Sequence, residues 1–222
     1  MTHRNSTVLK LVLVGDYGVG KSSLFRRFVH DTFVEVTDRA STLGFDHFER
    51  NYVIDGKNYV LQLWDTGGLE RVASVTTSYF KHADGALLVF GYDELDSFHS
   101  LSQHLLEVLS SAEGAKLFLC GNKSDLRPSP GDPNESEFRP NASDLETFYR
   151  ENQISEEQNL FSQRFETSCK LRRGVFEMFE EISRILARAV RPTAPDPDHF
   201  RLRATAADAQ KKSLCNGSCS SE

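Results

Sequence analysis

Residues 9–23 read LKLVLVGDYGVGKSS. The apolar run that opens the stretch is short enough for a buried strand, and the glycine-rich turn after it leads into a helical period, so the predicted setting is strand, loop, helix. Within it, Gly15, four residues, then Gly20-Lys21-Ser22 match the spacing of a phosphate-binding loop. The chemistry explains the spacing. Glycines let successive backbone N–H groups turn inward on an anion at the start of a helix, where the dipole also favours negative charge. Lys21 can then reach the outer phosphate oxygens, and the Ser22 hydroxyl suits Mg²⁺. The bland alternative, a glycine-rich turn with an incidental lysine, meets neither the spacing nor the context.

Working outward, the same rhythm recurs in YVLQLWD (59–65), ALLVFGY (86–92), KLFLCGN (116–122) and, more weakly, LFSQRFETS (160–168). Apolar runs separated by helical periods predict an α/β fold with buried parallel strands and crossover helices. NYVID and NYVLQLW flank Asp55-Gly56-Lys57, which predicts one antiparallel edge hairpin. Phe98, Leu101, Leu105 and Val108 fall on one face of a single helix ending near Gly114, and Val175, Phe179, Ile182, Leu186 and Ala189 on one face of the last helix. Residues 127–141 hold four prolines and read as a surface loop, with Ser143 expected to cap a short helix LETFYREN. Residues 191–222 turn polar without periodicity and read as a flexible tail.

Composition narrows the function. The 222 residues, 39% of them hydrophobic, fit one globular domain with a tail. A net charge of −6 argues against nucleic acid as an obligate partner, because phosphate-dominated binding needs a basic excess. No apolar run reaches 18 residues and the N-terminus lacks a long hydrophobic core, so the expected compartment is the cytoplasm. Cys120, Cys169, Cys215 and Cys219 are then read as thiols. The Asn-x-Ser/Thr matches at Asn5, Asn134, Asn141 and Asn216 are read as chance.

A phosphate loop does not name a base. Asn122-Lys123-Ser124-Asp125 ends the fourth apolar run, where an open parallel sheet places ligand contacts. The Asp125 carboxylate can accept from both N1–H and the exocyclic amine of guanine, a pair that adenine does not offer. Ser168-Cys169-Lys170 follows the last strand, and the backbone N–H of Cys169 is placed to meet the guanine oxygen. Alone, NKSD could be any polar loop; its order with the phosphate loop and SCK argues otherwise. An ATP-using P-loop kinase fails on the same two motifs and on the absence of a second lid.

Taken in order, GDYGVGKSSL, STLGFD, WDTGGLER, SYFKHADGALLVF, GNKSD and ETSCK resemble a Ras-superfamily small GTPase, within it the Rab branch, over residues 8–190. The resemblance implies a P-loop small-GTPase fold: a mostly parallel six-stranded sheet, one antiparallel edge strand, and helices on both faces. The domains become an N-terminal extension 1–7, a GTP-binding domain 8–190 and a hypervariable tail 191–222. The cofactors become GTP or GDP with Mg²⁺. The backbone row Gly15, Tyr17, Gly18, Val19, Gly20, Lys21, Ser22 and Ser23 would grip the phosphates, with Phe33 near the base. Asn122, Lys123, Asp125, Ser168, Cys169 and Lys170 would enclose the guanine. Ser22, Thr42 and Asp65 would hold magnesium, Asp65 through water, while Thr42 and Gly68 would sense the γ-phosphate. Trp64 and Tyr79 match positions that Rabs show to effectors, although either could be core. His47, His82 and His104 have no metal spacing and read as surface or core.

The chain departs from the family pattern where hydrolysis is concerned. Leu69 stands where a glutamine normally orients the attacking water, so the catalytic set of Lys21, Thr42, Gly68 and position 69 is impaired at its last member. Tyr17 crowds the space where an activating protein inserts an arginine, and the interval from Lys21 to Thr42 is about two residues longer than in typical Rabs. These departures could be neutral, or Leu69 could have been introduced to trap the GTP state. TBC-type activating proteins supply arginine and glutamine in trans, which would soften the loss. The resemblance implies effectors, an exchange factor and an activating protein as partners in vesicle traffic; the alternative is a GTP-bound scaffold that does not hydrolyse. Cys219 lies fourth from the end, a weak match to prenylation geometry, and with Cys215 it suggests lipid anchoring on the cytosolic face of an intracellular membrane, against a soluble tail with two idle thiols.

Overall fold

The computed structural model describes residues 6–35, 46–65, 80–127, 140, 142–151, 153–155 and 158–189. The strand that opens the chain, β1 (Thr7–Val14), leads to α1 (Lys21–His30). Next come β2 (Asp46–Ile54) and β3 (Lys57–Asp65), then β4 (Gly85–Gly91). Two helices follow, α2 (Leu95–His99) and α3 (Leu101–Ser111), before β5 (Lys116–Asn122). The remainder is α4 (Ala142–Glu151), the two-strand pair β6 (Gln153–Ser155) and β7 (Gln158–Asn159), β8 (Phe161–Glu166) and α5 (Val175–Ala189).

Six strands form one sheet in the order β2-β3-β1-β4-β5-β8. β2 runs antiparallel to β3, and the other neighbours pair in parallel. The Asp55-Gly56 turn joins Ile54 to Lys57, as the dipeptide predicts. β4 is buried at every residue, which its uninterrupted GALLVFG requires. β8, at the other edge, is exposed at Ser162, Gln163, Arg164 and Glu166, which is why its signal is the weakest.

Alternation along β1 divides the core. Val12 and Val14 join Ala86, Leu88, Phe90, Leu117 and Leu119 in a cluster with Phe98, Leu101, Leu105 and Val108 from α2 and α3, and Phe148 from α4. On the opposite face, Leu11, Phe118 and Leu186 of α5 crowd Gly85 so closely that a Cβ there would lie 3.1–3.2 Å from all three. Phe28 of α1 stacks on Phe179 of α5, with ring centroids 4.2 Å apart. Helices therefore cover both faces.

Two local expectations are corrected. The apolar stripe from Phe98 to Val108 lies on two helices: Ser100 bonds back to the Asp96 carbonyl through both its N–H (3.0 Å) and its Oγ (2.9 Å), closing α2 before α3 begins. The helix predicted as LETFYREN starts earlier, at Ala142, and the cap expected at Ser143 falls on a side chain outside those described. The flexible tail expected for residues 191–222, like most of the proline-rich loop, lies outside the described residues.

Candidate nucleotide site

The sheet puts the C-terminal ends of β1 and β5 side by side with β4 between them, and the site's loops leave from those ends. The loop after β1 packs against its neighbours with no room for a side chain at two places. A Cβ on Gly15 would lie 2.1 Å from the Val89 carbonyl oxygen, and one on Gly20 would lie 2.4 Å from Asn122 Nδ2. Glycine is required there by close approach as well as by positive φ (141° and 99°). Lys21 is buried (5% exposed), and its ammonium donates to the carbonyls of Gly15 (2.6 Å) and Asp16 (2.8 Å) across the loop. α1 starts without a side-chain cap hydrogen bond and without an acid in its first turn. Its N-terminal amides and the Lys21 charge thus fit a bound phosphate chain.

Asn122 ties the phosphate loop to the base loops. It is 1% exposed; its Nδ2 donates to the Val19 carbonyl at 2.9 Å, and its Oδ1 accepts from Thr167 Oγ1 (3.1 Å) and from the Cys169 thiol (3.6 Å). Main-chain bonds run alongside, from Ser124 N to Thr167 O and from Thr167 N to Gly121 O, both 2.9 Å. Lys123 adopts a left-handed backbone (φ 60°), and its ammonium pairs with Asp93 at 2.6 Å. The Ser168 hydroxyl donates to the Asp125 carboxylate and accepts from the Leu171 N–H at 3.1 Å, while Ser168 and Arg173 exchange two backbone bonds of 3.0 Å. These contacts aim the carboxylate and close the loop that carries Cys169. Burial pushes the thiols of Cys120 and Cys169 up to about 12, so neither is a nucleophile at neutral pH. Both are free, as read from the sequence.

Several contributors were not legible as site residues. Buried Arg27 of α1 donates from Nε (2.9 Å) and Nη2 (2.8 Å) to the Cys169 carbonyl and from Nη1 to the Asp31 carbonyl (2.7 Å). Arg172 pairs with the same Asp31 at 2.7 Å, and Lys170 with Glu35 at 2.9 Å. The segment carrying half-buried Phe33 is thereby pinned to the base loop on both sides. Only the i,i+4 spacing of Arg27 and Asp31 hinted at this; Thr167, Asp93 and His104 gave no signal. The structure brings together the phosphate loop, Phe33, the NKSD motif and SCK. Asp65 ends β3, buried. Thr42, Gly68, Leu69, Tyr79, Cys215 and Cys219 lie outside the described residues.

Trp64 is partly buried against the cluster beneath α2 and α3, and its outer side carries His47 (ring centroids 4.7 Å apart) and the Lys10 ammonium (4.9 Å). It is therefore part core and part surface. No three His, Cys, Asp or Glu side chains gather in metal-binding geometry among the described residues.

The Ras family model matches residues 10–188. Over 120 residues the chain is 43% identical to GTP-binding protein ypt1 of Schizosaccharomyces pombe (strain 972 / ATCC 24843), covering 54% of this chain and 58% of ypt1. The chain thus spans a little over half the length of that relative. With the Ras family model covering residues 10–188 and a six-stranded sheet, five strands parallel and one edge strand antiparallel, the chain belongs to the Ras family.

Proposed function

We propose that this chain is a guanine-nucleotide switch of vesicle traffic, binding GTP and GDP with Mg²⁺ and hydrolysing GTP slowly, or only with an activating partner. The observation that carries the nucleotide reading is the junction at Asn122, which locks the phosphate loop to the two loops on which a purine would rest. The Gly15 and Gly20 contacts support a loop whose amides face inward, and Lys21 supplies the charge for the outer phosphates. Asp125, steadied by Ser168, selects guanine over adenine by accepting from two N–H groups. Ser22, Thr42 and Asp65 are the residues that would hold the magnesium ion, which when bound neutralises charge on the β and γ oxygens. Membership of the Ras family, whose proteins bind GTP or GDP with Mg²⁺, and similarity to a protein named for GTP binding support the same reading.

Leu69 offers neither donor nor acceptor to an attacking water, and this favours a second reading of the same site, a GTP-bound scaffold that recruits effectors without turnover. Single-turnover hydrolysis with and without a candidate activating protein separates the two. The nucleotide reading is tested by titrating purified chain with fluorescent GDP and Mg²⁺ and competing with ATP: saturable uptake, displaced by GTP and not by ATP, is expected, and equal displacement by ATP refutes it. Effectors, an exchange factor and an activating protein would approach the switch segments. No helix among the described residues is long and apolar enough to cross a membrane. Attachment to the cytosolic face would use lipid on Cys215 and Cys219; detergent partitioning of the chain from cells should change when both are replaced by serine, and unchanged partitioning removes the anchor.

A further inference from the structure

One buried imidazole reaches the phosphate loop from outside every motif described above. His104 sits on α3, 8% exposed, with Nε2 2.7 Å from Asp16 Oδ1 and Nδ1 3.7 Å from Glu107 Oε2. A carboxylate only accepts, so Nε2–H donates to Asp16. Asp16 is the second residue of the loop, and its own carbonyl is one of the two that anchor the Lys21 ammonium. It is therefore held at both ends, by α3 through its side chain and by Lys21 through its backbone. Burial pushes the Asp16 carboxyl up, but the hydrogen bond from His104 and the nearby charge of Lys21 help to outweigh it and keep the group below the usual range, ionised as the bond requires.

We propose that His104 is a positioning residue for nucleotide retention: by holding Asp16 it fixes the phosphate loop and the Lys21 anchor in the arrangement that grips phosphate. The inference rests on the nucleotide reading of this loop. A loop already fixed in its binding geometry loses less freedom on binding, so releasing Asp16 weakens retention without touching any group that meets the nucleotide. Loss of this hydrogen bond to a charged group is expected to change the release rate by roughly tenfold to a hundredfold.

The test uses the full chain loaded with N-methylanthraniloyl-GDP and Mg²⁺ and chased with excess GDP. His104→Ala should speed release about tenfold or more. His104→Gln, which keeps an N–H donor, should recover most of that, a rescue that loss of packing would not show. In an Asp16→Ala background, adding His104→Ala should change release less than about twofold, because the bond is already gone. The same acceleration in both backgrounds, or release by His104→Ala equal to wild type, overturns the proposal. If His104→Ala does not fold, Asp16→Ala alone decides: release within about twofold of wild type overturns it. Failure of the wild-type chain to take up the fluorescent nucleotide is a different outcome, which brings down the nucleotide reading itself and this proposal with it.

Discussion

Replacing Asn122 should separate the phosphate loop from the base loops, and the structure gives the size of the effect. In Asn122→Ala the Val19 carbonyl loses its donor in a site that is 1% exposed at residue 122. An unsatisfied buried acceptor costs about 1–3 kcal/mol. Thr167 loses an acceptor too, but its hydroxyl also lies 3.2 Å from Cys120 Sγ and can turn there, so the second loss is only the net value of one hydrogen bond, about 1 kcal/mol. The sum is about 3 kcal/mol, or a fall in Tm of roughly 6–12 °C for a chain of this size. Asn122→Asp keeps the shape yet should be worse: an oxygen then faces the Val19 carbonyl, and an uncompensated buried charge costs about 3–5 kcal/mol. Urea unfolding of the full chain, without nucleotide so that binding does not mask the change, should rank wild type above Asn122→Ala above Asn122→Asp with little change in slope. A loss below about 1 kcal/mol for alanine, or an aspartate variant more stable than alanine, would refute the reasoning that this side chain joins the site.

Three further outcomes follow from the same residues. Asp125→Asn should weaken GDP binding by about 10²–10⁴-fold, the value of two charge-assisted bonds; an unchanged Kd in a fluorescence titration removes Asp125 from base recognition. Intrinsic single-turnover hydrolysis should fall below the Ras-type value of about 3–5 × 10⁻⁴ s⁻¹, and Leu69→Gln should raise it about tenfold, equivalent to about 1.4 kcal/mol off the barrier; no gain means the water is held by other groups. The thiols of Cys120 and Cys169 ionise near 9 when unfolded and only at about 12 when folded, so the folded chain binds these protons more tightly. Their contribution to stability is complete below pH 9 and is lost as pH rises towards 12; a urea midpoint that does not fall across this range in wild type more than in a Cys120→Ala/Cys169→Ala pair contradicts the assignment.

What the sequence revealed of this molecule follows the range over which its physics acts. β4, most of β5 and the C-terminal half of β1 were legible because strand segments buried on both faces are almost wholly apolar, and the phosphate loop was legible because its parts are contiguous. The break at Ser100 was hidden because the apolar stripe continues across it in phase: Phe98 and Leu101 enter one core from two helices. The short pair β6 and β7 has too few residues to show an alternation at all. Arg27 and His104 were hidden for another reason. Each stands among apolar neighbours on a helix, and each is explained by a partner far away in sequence, Cys169 and Asp16. Local periodicity registers such residues only as exceptions, since a buried polar group is tolerated when something distant satisfies it. In this chain those distant partners are all loops of one site: Arg27 holds the base loop, Asn122 joins the base loops to the phosphate loop, and His104 holds the phosphate loop from α3. Motifs thus identify the groups that would face a nucleotide, while the polar exceptions within otherwise apolar elements identify the groups that keep those loops in place.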